Sequence, residues 1–175
     1  YLCPTWYFGI SPTEANGYPV TTTARDIIDT CRHKFFVDLK PDFKLHYQIV
    51  DSFGGQVAHY EGGQHISAYG NSNAPALQAF YDAQRHPAMY QLYEDVLDSL
   101  REWGSELTMA FTLGGPDGRY GSWGHIESVD SVPSMAFSPK YMALLDNLLP
   151  NPEPDLGADT TICQGETLLL EPGQY

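Results

Sequence analysis

The segment Gln56 to His65, QVAHYEGGQH, constrains the fold more than any other stretch of this chain. Gly54-Gly55 precedes it and Gly62-Gly63 closes its apolar part. What lies between is too short for a helix, and Val57, Ala58 and Tyr60 favour an extended backbone. Side chains alternate along a strand, so His59 and Glu61 are expected on one face and Ala58 and Tyr60 on the other. Glu61 then becomes a lone carboxylate at the last residue of a buried strand, just before a flexible Gly62-Gly63 turn. Enzymes of the α/β class keep catalytic groups at such strand ends.

Helical periodicity flanks this strand on both sides. Leu2 to Phe8 reads as a short buried strand ending at Gly9, with Tyr7 near its end, and a loop rich in Ser, Pro, Asn and Gly runs through Thr22. Thr23 is placed as the N-cap of a helix with Ile27, Ile28, Cys31 and Phe35 at helical spacing. Pro41 opens a second helix, with Phe43, Tyr47 and Val50 along one face and Gly54 just past its end. Downstream, a polar loop from Ser67 to Asn73 leads to Pro75 and an apolar helix through Gln84. Pro87 starts another, whose Met89, Tyr93, Val96, Leu97, Leu100 and Trp103 fall at steps of three and four until Gly104 stops it.

Glu106 to Phe111 supplies a third strand, which runs into the loop TLGGPDGRYGSWG, read as a flexible rim, and Pro139 to Leu148 supplies a last helix. Strand and helix alternate three times with crossovers of roughly ten residues or more, so parallel pairing with right-handed connections is predicted. The fold class is α/β, and the expected ligand site lies at the carboxyl ends of the strands, near Tyr7, Glu61 and Phe111. Asn151-Pro152-Glu153-Pro154-Asp155 reads as a linker, because two closely spaced prolines prevent both helix and sheet pairing. Beyond it, DTTICQGETLLLEPG alternates like the first strands of a β-sandwich. Tyr1 opens inside an apolar aromatic run and Tyr175 follows a Pro-Gly pair, so the chain is expected to be a piece of a longer protein.

Composition narrows the partners. A net charge of −13, from 22 acidic against 9 basic residues, disfavours a phosphate backbone as ligand, and no nucleic-acid partner is expected. The 12 Tyr, 8 Phe and 3 Trp are flat amphipathic rings suited to core packing and to stacking on sugars. No run approaches the roughly 18 apolar residues of a membrane span. Cys3, Cys31 and Cys163 lack CxxC spacing, which excludes zinc-ribbon and thioredoxin-type motifs and leaves their pairing open.

Several chemistries fail on their motifs. His59, Glu61 and His65 form HxExxxH rather than the helical HExxH of zinc proteases, and no PCxxC follows as zinc deaminases require, so no metal site is assigned. GGPDGRYG lacks the Lys and following helix of a phosphate loop, and no GxSxG elbow exists, so neither a cofactor nor a serine nucleophile is assigned. Glu61 is a candidate for one of a carboxylate pair cleaving glycosidic bonds, with Tyr7 and Trp123 brought alongside and Tyr120 and Trp123 stacking on sugar rings, and a capped or paired structural carboxylate is the alternative. Such chemistry needs a second carboxylate about 5–5.5 Å away for retention or about 6.5–9.5 Å for inversion. Glu14, Asp117 and Glu127 lie on candidate loops, but none carries a motif.

YFG near the start, VAHYEGGQHI, and the loop YGSWGHIES together resemble the C-terminal part of a secreted glycoside-hydrolase-like (β/α)8 barrel family, often described as cellulose-binding. The resemblance covers about Tyr1 to Leu149. It implies a TIM-type barrel of which this chain holds the last three βα units, with Glu61 at the nucleophile position ending the seventh strand. Tyr7, His65, Tyr120 and Trp123 would contact a polysaccharide or oligosaccharide. The acid/base Glu of that clan comes from the fourth strand, outside this chain, so the fragment alone is expected to be inactive. The tail from Pro154 resembles the opening of Ig-like modules in bacterial secreted proteins and implies an extracellular or cell-surface location. The expected division is therefore 1–149 for the barrel part, 150–155 for the linker and 156–175 for the Ig-like start. A non-catalytic carbohydrate-binding or surface-scaffold protein is the alternative, and a partial barrel is expected to self-associate through its exposed edge and apolar faces.

Overall fold

The extended segments of the chain run parallel to one another. In the computed structural model, which describes residues 1–67, 74–118 and 121–148, strand β1 (Phe8–Ile10) pairs with β3 (Gln64–Ile66), and β2 (Val57–His59) pairs with β4 (Ser105–Thr108). A bridge joins Leu2 to Val57, and the Trp6 N–H donates to the Glu61 carbonyl, so the first segment follows the second from Leu2 onward. On the opposite side, the N–H groups of Met109 and Phe111 donate to the carbonyls of His59 and Gly62. The segment read first in the sequence therefore lies between the other two.

One extra residue in that central segment shapes everything near it. Six residue steps separate Leu2 from Phe8, whereas seven separate their partners Val57 and Gln64. The other neighbour repeats the mismatch, since the two steps from Met109 to Phe111 face three from His59 to Gly62. Both ladders place the surplus at Tyr60 and Glu61, as a β-bulge does. It splits what the sequence presents as one strand into β2 and β3. It also explains why regular pairing with the first segment is confined to Phe8–Ile10 instead of Leu2 to Phe8, while β2 and β4 pair over Ser105–Thr108 with a register shift of their own between Val57 and Ala58.

Alternation sorts the strand side chains into two faces. Trp6, Phe8, Ile10, Val57, His59, Gln64 and Ile66 are buried under the helices. Ala58, Tyr60, Leu107, Met109 and Phe111 take the other face, where the last four are 44–53% exposed. Parallel sheets are normally covered on both faces, so this apolar face is incomplete by itself.

The helices cover one side only. After α1 (Pro12–Ala15), α2 (Ala24–His33) begins at Thr23, whose side chain and Asp26 form a reciprocal capping box. It continues through a π-helical stretch, Lys34–Leu39, into α3 (Lys40–Ser52). The wider π turn accommodates Pro41, which has no N–H to give, so the two predicted helices are one continuous run. Helices α4 (Leu77–Arg85), α5 (Pro87–Glu102) and α6 (Pro139–Asn147) complete the layer. The apolar stripe predicted for α5 is buried along its length, from Met89 to Leu100. Its Tyr93 packs edge-on to Trp6 and Phe8; Phe8 in turn meets Phe35, and Phe35 meets Phe43, within the α2–α3 run. Among the described residues no helix is long and apolar enough to cross a membrane. The proposed linker, the Ig-like start and most of the Ser67–Asn73 loop lie outside the described residues.

Candidate functional site

Gly62 and Gly63 are not a turn; both are buried and serve close packing. A Cβ on Gly62 would stand 2.4 Å from the Trp6 ring, and only its absence lets the indole pass behind the central segment to donate to the Met109 carbonyl at 2.8 Å. Gly63 has φ +136° and leaves room for the Tyr93 hydroxyl, which accepts from the Gln64 N–H at 2.9 Å. The backbone after Glu61 does not loosen, because it continues directly into β3.

The extra residue decides where Glu61 points. Without it, Glu61 would share the face of His59, as plain alternation predicts. His59 instead turns into the core, where Nε2 meets the Tyr47 hydroxyl at 2.8 Å and Nδ1 meets the Pro4 carbonyl at 3.1 Å. Glu61 lies with Tyr7 on the open face. Burial, the charge of Glu61 and a hydrogen bond to its carboxylate push the Tyr7 phenol up to about 12. The phenol therefore stays protonated near neutrality, beside the Glu61 carboxylate.

Three of the predicted sugar-contacting rings gather around this pair. His65 and Trp123 lie with ring centroids 4.3 Å apart, and Tyr7 is 6.1 Å from His65 and 6.0 Å from Trp123, both edge-on. Phe111 adds a fourth ring 6.4 Å from Trp123. Burial lowers the His65 pKa, so the imidazole is neutral at physiological pH. Tyr120 lies outside the described residues.

No family model, curated protein or solved structure matches this chain.

The loop carrying Trp123 is tied down, contrary to the flexible rim expected from its glycines. Thr112 N–H donates to the Trp123 carbonyl at 3.3 Å, Ile126 N–H to Leu113 at 3.0 Å and Gly115 N–H to Ile126 at 3.0 Å. Gly124 permits that approach, since a Cβ there would stand 2.3 Å from the Gly115 carbonyl. The Phe111–Thr112 peptide at the loop's start is cis. Gly121, at φ +128°, passes directly beneath the Trp123 indole.

The other candidates are engaged elsewhere. Glu14 pairs with Lys34 and caps α1 through Ser11, and these contacts hold its carboxyl down at about 2. Glu127 pairs with Arg85, and Asp117 accepts from Ser122 while burial raises its pKa. The Cys31 thiol is pushed up to about 12 by burial, so it is no nucleophile at neutral pH. Among the described residues no three His, Cys, Asp or Glu side chains converge as a metal site. A cleft of about 260 Å³ adjoins the rings, sharing Tyr7 and His65 and walled by Ser11, Asp38 and Leu39. A second cleft, between Tyr47, Trp103 and Glu106, opens beside the start of β2 and contains none of the site residues.

Sequence reasoning missed the polar layer beneath these rings. Gln64, Gln84, Ser122, His125 and Lys140 are all buried. The available signal was polar side chains at positions where strand and helix periodicity calls for apolar ones.

Proposed function

We propose that this chain carries the nucleophile side of a polysaccharide-cleaving site, with Glu61 attacking the anomeric carbon and the rings of Tyr7, His65 and Trp123 holding the sugar. The observation that carries this reading is the extra residue at Tyr60–Glu61. It turns a single carboxylate onto the face where an aromatic cluster and a protonated phenol already stand. Bulges next to active sites re-aim side chains in this way. The Tyr7 proton orients the carboxylate, and edge-on aromatic walls suit the C–H faces of a pyranose. The proton that the departing oxygen needs comes from a second carboxylate outside this chain. That fits a (β/α)8 barrel whose other strands cover the apolar face of Tyr60, Leu107, Met109 and Phe111. An extracellular or cell-surface setting follows from a polymeric substrate.

A second reading, carbohydrate binding without cleavage, draws support from the engagement of Glu14, Asp117 and Glu127 away from Glu61. Both readings require sugar contact, which titration calorimetry with β-linked oligosaccharides tests. Trp123→Ala is expected to weaken binding about tenfold, by loss of stacking worth about 1.4 kcal/mol. Unchanged affinity in that variant contradicts both readings.

A further inference from the structure

We propose that Lys140 is a positioning residue for Trp123, latching from beneath the loop that presents the indole. Lys140, in the first turn of α6, is a lysine only 3% exposed. Its Nζ donates to the Ser122 carbonyl at 3.1 Å and to Gln84 Oε1 of α4 at 2.8 Å. The same Ser122 carbonyl accepts from Gln64 Nε2 of β3. Gln64 Oε1 accepts in turn from the Ile66 N–H at 2.8 Å, which pins that side chain to its own strand. One carbonyl thus ties the loop to a strand, and through Lys140 to two helices. The residues joined this way are direct neighbours in sequence of the site rings, Ser122 of Trp123 and Gln64 of His65. The latch therefore sets the spacing of the two rings.

No carboxylate among the described residues lies within ion-pairing distance of the ammonium. Asp117 and Glu127 act on it through space, Glu127 being paired with Arg85, and neutral His125 is the remaining titratable neighbour. Burial pulls the Lys140 pKa down to about 8. A lysine kept this deep, beside a carbonyl that a neutral residue already serves, contributes more to loop placement than to packing.

The inference rests on Trp123 as a sugar platform, and its test separates the two claims. In protein labelled with 5-fluorotryptophan, the fluorine resonances of Trp6, Trp103 and Trp123 are assigned through Trp123→Phe. Lys140→Met is expected to shift or broaden the Trp123 signal, leave those of Trp6 and Trp103 in place, and weaken oligosaccharide binding at least fivefold. In the unmutated protein the Trp123 signal should also step with a midpoint near pH 8, an arm that decides the matter even if Lys140→Met fails to fold. A Trp123 resonance that ignores both the substitution and the pH overturns the latch. Absence of sugar binding by the unmutated protein overturns the platform, while the fluorine signals still decide the latch.

Discussion

Gly62→Ala is the substitution whose cost follows most directly from the geometry. The new Cβ would stand 2.4 Å from Trp6 Cγ and Cδ1 and 2.7 Å from Nε1. Trp6 is fully buried and boxed by Phe8 and Tyr93, so its ring cannot retreat toward solvent. Either the indole slides off the Met109 carbonyl or the central segment moves away from it. Overpacking costs about 1–3 kcal/mol, and a buried donor left without its partner about 1–3 kcal/mol more. At about 2–4 °C per kcal/mol for a chain of this size, the melting temperature falls by roughly 5–20 °C. Gly118→Ala is the control, because a Cβ there meets nothing within 4 Å. Thermal melts followed by near-ultraviolet circular dichroism read both. If Gly62→Ala melts with Gly118→Ala and the unmutated chain, the indole does not run behind Gly62.

Three further outcomes follow from the same structure. Burial lowers the His125 pKa from 6.5 to about 4, so below pH 6.5 the unfolded chain binds a proton that the folded chain refuses. Stability is then full above that point and is lost as pH falls toward 4, by about 3 kcal/mol; His59 and His65, also lowered, add in the same direction. Urea midpoints at pH 7 and pH 4.5 should differ accordingly, and equal midpoints would refute it. In the full-length protein, removing only the phenol oxygen, Tyr7→Phe, should slow turnover about tenfold, the value of one hydrogen bond to a charged group at about 1.5 kcal/mol; an unchanged steady-state rate means that Tyr7 does not orient Glu61. Sedimentation of the chain at micromolar concentration should show association through the open face, reduced by pairing Leu107→Glu with Met109→Lys, and a monomer at all concentrations contradicts it.

Element order was legible in the sequence because it rests on periodicity. The stripe from Met89 to Leu100 and the Thr23 cap needed only local spacing, and both stand where expected. The faces of the central segment were not legible. Alternation assumes one residue opposite one, and an inserted residue reverses the faces beyond it without altering composition. Gly62-Gly63 was the available sign, since glycine within a strand marks a bulge or a close backbone approach as often as an end. Local sequence reads it as a turn, because the Trp6 ring that needs the space lies more than fifty residues away. Tyr7, offered by its strand end, Trp123, offered by its loop, and His65, implied only by the family resemblance, lie together. The Lys140 latch depends on contacts between α4, α6, β3 and a loop, which no local pattern encodes.

The most direct test of Glu61 is steady-state hydrolysis of a polysaccharide panel by the full-length protein and by its Glu61→Gln variant, with oligosaccharide binding measured alongside. The bulge geometry predicts a rate loss of about a thousandfold or more with affinity held within a few-fold, because the amide keeps the shape of the carboxylate but cannot attack. A variant that cleaves as fast as the unmutated protein contradicts the assignment.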